Sequence, residues 1–408
     1  RGVKVLAFPA ALQAVADHVG GAVPESGRDL RWVKRVAGVS GGSIIAVAVA
    51  CGASVDDVVE TSHNFDIEEI ADSIQTAGPL QMMRRLMSSY GVNDGTVLAR
   101  KVDDVIHQYT GLRCATFSQL YDHTGILLKI FATSMRNGGL IEFSAQKTPH
   151  DEVAMAARCS MTVPFLFDAV PTSEGDLLVD AALIDNCPVW CFDEPKGNPM
   201  PGSGPSSLAP GEAPSNPKTL AFWVASQEAP QHIAPRSIRS YCVRMIEIGL
   251  FMQQRVQKQS FWDDDRVLWV QAPDIPISTF RLDPQIEQLL HRCGMRSARQ
   301  FIRRERSDMH KHKSFEGQAD SKSKVKRGVT QAGMDDGEMG RGAHTEWIKE
   351  KSTQTAIDRF VRYWLSDRQR TAPLLPAFGA PLDDKLAEGG KINLIGNMLT
   401  TPSRQTPP

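Results

Sequence analysis

The sequence predicts an α/β domain built on a mainly parallel central sheet, and three observations carry that prediction. From Arg1 to about Arg306, short β-branched apolar runs alternate with amphipathic helical stretches. One of the runs, "GILLKIFATS" (Gly125 to Ser134), reads as a strong central strand. The composition, 41% hydrophobic and 23% charged over 408 residues, is that of a globular chain able to bury a sizeable core.

Taken in order, "VKVLAFPAALQAVADHV" (Val3 to Val19) has helical spacing and stops at Gly20-Gly21. "RWVKRVA" (Arg31 to Ala37) is a short strand, and "SIIAVAVACG" (Ser43 to Gly52) is a buried helix closed by glycine. Residues from about Val55 to Asp122, including "PLQMMRRLMSSYG" and "ARKVDDVIHQYTG", form a helical cover too long for a simple connection. "DLLVDAALIDNCPV" is a strand ending at Asp180, then a turn and a short helix or loop. The Pro-, Gly- and Ser-rich stretch Glu194 to Lys218 reads as a disordered surface insertion. Beyond it come the strand "TLAFWVA", the helix "SIRSYCVRMIEIGLFMQQRV", the strand "RVLWVQA" and the helix "DPQIEQLLHRCG".

The division expected is therefore a domain at 1–306 and a charged, low-complexity region at 307–408. Arg296 to Arg327 holds eleven Lys or Arg against four Asp or Glu, with few apolar residues to bury. A helix is expected at 346–367, where Ile357, Phe360, Val361, Trp364 and Leu365 share one stripe. The terminal stretch Thr371 to Pro408 reads as without regular structure.

Whole-molecule charge excludes little: 46 basic against 47 acidic residues leave a net charge of -1, so any electrostatic partner must be met locally. The basic run at 296–327 is the candidate contact with a membrane surface; it lacks the interleaved aromatics of a nucleic-acid binder, and no nucleic acid is expected. Seven scattered cysteines read as reduced thiols in a cytosol-like compartment. Cys187 and Cys191 lie closest, without the second pair or histidine a zinc site needs. The longest apolar run is far too short to span a bilayer, so a cytoplasmic or peripheral-membrane protein is expected, with an N-terminal targeting signal left open because the chain opens without methionine.

Chemistry concentrates at "GVSGG", Gly38 to Gly42, a G-x-S-x-G match that is weak by composition alone. Its context strengthens it, because a strand precedes the serine, small residues flank it and a helix follows at once. That order projects Ser40 above the sheet edge, where the N–H groups and positive end of the helix face a developing oxyanion. Two bases remain open on the residues themselves. The order Ser, Asp or Glu, His admits a triad through His232, and a Ser-Asp dyad admits Asp180, which ends the apolar strand "LLVD". A free carboxylate is a weak base unless burial raises its pKa. The same aspartate is equally read as a turn cap.

Five blocks in order resemble the patatin-like phospholipase family: "RGVKVLAFPAAL", "GVSGGS", "TFSQLYDHTGILLKIFATS", "TPHDEVAMAARCSMTVPFLFDAV" and "VDAALIDNCPV". The resemblance implies a three-layer α/β/α fold and an acyl-ester hydrolase using a Ser-Asp dyad, with no metal and no cofactor. It implies Ser40 as nucleophile and Asp180 as base, Arg1, Gly2 and Gly41 in or supporting the oxyanion hole, and Gly38 and Gly42 as the glycines of the nucleophile elbow. Asn186 and Pro188 match as loop-fixing residues, and Ser160 as a residue shaping the path between blocks. The chain opens at the Arg-Gly end of the glycine-rich block, so further glycines are expected before Arg1. Ala181 stands where the family carries glycine, and a positive φ there would cost about 1–2 kcal/mol. The function expected is hydrolysis of phospholipid or lysophospholipid acyl esters. The alternatives are a catalytically silent lipid-binding or interaction module that kept the fold, and a Ser-Asp-His esterase.

Overall fold

In the computed structural model of the chain, the residues described are 4–20, 30–65, 69, 79–193, 216–226, 235–260, 265–275, 283–304 and 392–398, apart from single positions 5, 31, 217 and 274. The helix expected at 346–367, nearly all of the 194–218 insertion and residues 305–327 of the basic run lie outside them.

The first helix, α1 (Ala7–Gly20), carries Pro9 in its first turn, where a missing N–H is not needed. Strand β1 (Val33–Ser40) runs three residues beyond the stretch expected of it and passes directly into α2 (Gly42–Ala50). Every residue of α2 is buried, which is why its sequence shows no polar face. The helical cover then consists of α3 (Val55–Asn64), α4 (Pro79–Ser89), α5 (Thr96–Thr110) and α6 (Phe117–Thr124). Local chemistry sets their limits: Ser54 and Asp57 form a reciprocal capping box at the start of α3, and Thr116 and Gln119 do the same for α6. Helix α6 ends at Gly125, which takes the left-handed φ of +69° that stops a helix.

The sheet follows with β2 (Leu127–Ser134), β3 (Leu140–Ser144), β4 (Val170–Pro171), β5 (Leu177–Asp180), β6 (Thr219–Ser226), β7 (Val267–Ala272) and β8 (Ile392–Met398), with α7 (Val153–Ser160), α8 (Ile238–Ser260) and α9 (284–304) among them. Its order is β4-β5-β2-β1-β8-β6-β7, with β3 also paired to β2. The pairs β1–β2, β1–β8, β6–β8 and β6–β7 are parallel, and β3, β4 and β5 add antiparallel pairs at one end. Alternate residues serve two cores. Val36, Ile130, Phe222 and Val270 pack on the face covered by α1, α2 and α7, while Ala37, Phe131, Trp223 and Val267 pack on the other with Leu250 of α8. The result is the three-layer α/β/α arrangement.

Two features go beyond the sequence expectation. Strand β8 comes from the terminal stretch read as without regular structure, and it runs parallel between β1 and β6, pairing Ser40 with Met398 and Trp223 with Asn397. A seven-residue segment with two asparagines and a glycine carries little local signal, and it pairs with two strands distant in sequence. The second is Gly294, which reads as the end of a helix, yet α9 runs through it to residue 304. A Cβ there would sit 2.0 Å from the Ala7 carbonyl oxygen, so the glycine permits α9 to cross α1 closely. Replacement Gly294→Ala is expected to lower stability by about 1–3 kcal/mol through this overlap, read as a lower urea midpoint at unchanged slope.

Candidate active site

The geometry at Ser40 starts from how β2 shares its edges. Residues Lys129 to Thr133 of β2 pair with β3, so β3 lies along one edge. On the other edge, Leu127 to Ile130 pair with β1 and Ala132 to Ser134 pair with the antiparallel β5. Strands β1 and β5 therefore meet head to head along one edge, with their C-terminal ends converging between Ile130 and Ala132. Gly38 is opposite Ile130 and Asp180 is opposite Ala132, which brings the residue two beyond Gly38 to the aspartate. Ser40 Oγ donates a hydrogen bond of 2.7 Å to Asp180 Oδ2.

Ser40 has a φ of +53°, the left-handed region that a non-glycine residue enters at a cost of roughly 1–2 kcal/mol. This is the sharp strand-to-helix elbow that the sequence predicts. Its tightness explains Gly38, where a Cβ would come within 2.5 Å of Ser43 Cα and 2.8 Å of the Gly42 carbonyl oxygen. Gly41 is the residue preceding α2, with no side-chain cap, and Ser43 Oγ donates to the Ser40 carbonyl. In the first turn of α2 the Ile44 N–H donates to the Gly41 carbonyl at 3.2 Å, and the positive end of the helix dipole lies beside Ser40.

Asp180 uses its two oxygens differently. Oδ2 accepts from Ser40, while Oδ1 accepts from the Ala182 N–H at 2.9 Å and caps the 3-10 turn Ala181–Leu183. The turn-cap reading is met on Oδ1, and Oδ2 is the oxygen that meets the serine hydroxyl. Burial pushes the Asp180 carboxyl well above its ordinary value, and the hydrogen bonds from Ser40 and Ala182 only partly oppose the shift. Ala181 does not take the positive φ that would strain it, since it lies in the 3-10 turn and is not among the positive-φ residues. Its methyl group is fully buried in the core on the α8 side.

One contributor exceeds its sequence reading. The end of α7 holds both members of the pair: Ser160 Oγ accepts from the Ser40 N–H at 2.9 Å, and the Thr162 carbonyl accepts from the Asp180 N–H at 2.6 Å. Thr133 Oγ1 adds a bond to the Asp180 carbonyl at 3.0 Å. Ser160 is fully buried, and its sequence neighbours give no hint that it meets a residue 120 positions away.

Asn186 and Pro188 lie in the segment that follows. The Asn186 N–H donates to Gln257 Oε1 of α8 at 3.3 Å, and Pro188 precedes the 3-10 turn Val189–Phe192. Asp185 anchors the same segment, accepting from the Cys187 N–H, Gln257 Nε2 and Trp190 Nε1 at 2.8, 2.6 and 2.8 Å. Arg1, Gly2 and His232 fall outside the described residues. All seven cysteines are free thiols, and burial pushes Cys51 and Cys159 up to about 12. Among the described residues no group of three or more His, Cys, Asp or Glu gathers as metal ligands.

Residues 2–193 match the family model described as Patatin-like phospholipase, and they span Ser40, Ser160 and Asp180. Over that stretch the chain is similar to the patatin-like phospholipases, a family of lipid hydrolases. The uncharacterized protein R571 of Acanthamoeba polyphaga mimivirus is 25% identical over 277 residues, covering 66% of this chain and 83% of its own. The uncharacterized protein YqhO of Bacillus subtilis is 27% identical over 190 residues, covering 44% of this chain and 62% of its own. Among solved structures, VipD of Legionella pneumophila aligns at a TM-score of 0.42 and 14% identity, over 74% of this chain and 65% of that one. ExoU, in its complex with SpcU from the type III secretion system of Pseudomonas aeruginosa, aligns at 0.38 and 16%, over 74% of this chain and 50% of that one. The chain thus spans between half and two thirds of those structures, and at such scores they bear on neither substrate nor partner.

Two outcomes follow from the geometry. Ser160→Ala leaves the buried Ser40 N–H without its acceptor and is expected to lower stability by about 1–3 kcal/mol in a denaturant titration. Asp180 has a raised folded-state pKa, so its stabilising contribution is present at acid pH and is lost as pH rises through that value. Asp180→Asn removes the buried charge. Its melting temperature relative to the parent is expected to be higher at pH 8 than at pH 5.

Proposed function

We propose that this chain is a serine acyl hydrolase that cleaves fatty-acyl esters of phospholipids or lysophospholipids, with Ser40 as nucleophile and Asp180 as base. The observation that supports it most is the 2.7 Å hydrogen bond from Ser40 Oγ to a buried carboxylate, set on a strained elbow within a patatin-like domain. Attack of Ser40 Oγ on the ester carbonyl forms the acyl C–O bond as its proton passes to Asp180 Oδ2. The tetrahedral oxyanion faces the first turn of α2, with the Gly41 N–H nearest the nucleophile, and Arg1 and Gly2 complete the hole in this reading. Collapse expels the alcohol, which takes the proton from Asp180. Water, deprotonated by the same carboxylate, then attacks the acyl-serine, and the fatty acid leaves as Asp180 returns the proton to Ser40 Oγ.

Burial of Asp180 gives this scheme its driving force. A carboxylate of raised pKa is a stronger base than a free one, and the short contact avoids any intermediary imidazole. The basic run at 296–327 is part of the same proposal, as a peripheral contact with an anionic membrane. Among the described residues no helix is long and apolar enough to cross a membrane.

Fatty-acid release from phospholipid and labelling by a fluorophosphonate test the reading together. Ser40→Ala is expected to abolish labelling and to lower kcat roughly a million-fold, and Asp180→Asn to lower it by about 10⁴-fold. Unchanged turnover in Ser40→Ala would sink the proposal, and an unlabelled parent protein would favour a silent lipid-binding module. Since the ionised form of Asp180 is the base, kcat/KM should rise with pH along a limb displaced above the ordinary aspartate value of 3.8.

A further inference from the structure

Helix α8 buries only part of its surface. Leu250 and Glu247 are inside, whereas Tyr241, Met245, Ile248 and Met252 are between 43% and 52% exposed. Their spacing of four, three and four places them on one stripe along the helix. Helix α4 repeats the pattern with Leu80, Met83 and Met87, spaced three and four and between 50% and 85% exposed. Single exposed apolar side chains are ordinary on a protein surface, but a stripe that follows the axis of a helix marks an interaction surface.

The charges around the stripes have one sign. Pro79–Ser89 contains Arg84 and Arg85 and no acidic residue, and Arg85 is engaged with Asp168 at 2.8 Å. Ile238–Ser260 contains Arg239, Arg244, Arg255 and Lys258 against the single acid Glu247, which is buried and pairs with Arg244 at 3.4 Å. Arg84 and Arg255 are exposed. Apolar stripes flanked by basic side chains, with no exposed acid among them, suit the interface of an anionic leaflet. A second copy of the same face would instead bring like charges together.

Both helices are also tied to the loops that adjoin the candidate dyad. Through Arg85, α4 holds Asp168 in the loop that follows Thr162, and α8 holds the segment after Asp180 through Gln253 to the Ile184 carbonyl at 3.1 Å and Gln257 to Asp185. Within those two loops Phe165 and Ile184 are themselves exposed. Ser40 and Asp180, in contrast, are shut from solvent at 0% and 1% exposure.

We propose that the apolar stripes of α4 and α8 dock the protein on an anionic lipid bilayer, with the loops beside Ser40 and Asp180 turned toward the membrane. The inference rests on the lipid-hydrolase reading, and the experiment keeps the two apart. The full chain carrying Ser40→Ala is sedimented with vesicles of phosphatidylcholine alone or with about 30 mol % phosphatidylserine. Binding to the anionic vesicles is expected, weakening as salt rises from about 0.05 to 0.5 M. It should fall at least about ten-fold in Met245→Glu/Met252→Glu and in Met83→Glu/Met87→Glu, two pairs on separate helices whose melting curves report folding. The inference is overturned if the parent binds neither vesicle or if both folded pairs bind as the parent does, the result expected when the 296–327 run alone holds the membrane. It is overturned equally if both pairs dissolve a dimer seen by ultracentrifugation while vesicle binding stays unchanged. Because binding is read in Ser40→Ala, a failure of the hydrolase reading leaves the measurement intact.

Discussion

A carboxylate that is 1% exposed sits against a serine hydroxyl, and the arrangement of the sheet around it answers the cost of that placement. Burying an ionised carboxyl costs several kcal/mol unless hydrogen bonds replace its water. Asp180 receives two, from Ser40 and from the Ala182 N–H, and its backbone is held at both ends by Thr162 and Thr133. None of these partners could reach it if β5 paired along the full length of β2. The head-to-head meeting of β1 and β5 on one edge of β2 is therefore the constraint on which the candidate site depends.

The same constraint accounts for the residues around the elbow. A left-handed serine is tolerated only where its surroundings leave it no other conformation. Here a wholly buried α2 follows it, and Gly38 lets β1 and the first turn of α2 approach within a distance that any side chain would prevent. From below, the Ser160 hydroxyl takes the Ser40 N–H. Strand β1 is the innermost of the strands on this side, with β2 on one edge and β8 on the other, so displacement of the elbow would disturb two parallel ladders at once.

What was legible in the sequence was what is local. The strand, the glycine-flanked serine and the all-apolar helix stand consecutively in the chain, and the end of "LLVD" is visible as a strand end. The pairing of Ser40 with Asp180 across 140 residues carries no local signal and came from the order of family blocks. The contact of Ser160 carries no local signal for the same reason, because its partner is a backbone N–H rather than a patterned side chain. Gly294 misled in the opposite sense: a glycine after a helical run reads as a stop, and only the closeness of Ala7 reveals a crossing point. Strand β8 was missed because seven residues with two asparagines and a glycine have little preference of their own.

In the proposed mechanism Asp180 joins two demands that usually conflict. A turn cap is best served by an ionised, solvated carboxylate, whereas a base acting near neutral pH is best served by a buried one. On that proposal the tasks divide between Oδ1, which accepts from the Ala182 N–H, and Oδ2, which accepts from the serine. Ala181 fits this division. An alanine in a 3-10 turn packs its methyl group into the core on the α8 side and restricts the backbone more than glycine would, which steadies the carboxylate orientation. The residue that departs from the family's glycine is thus, in the folded chain, a fully buried member of the 3-10 turn that Asp180 caps.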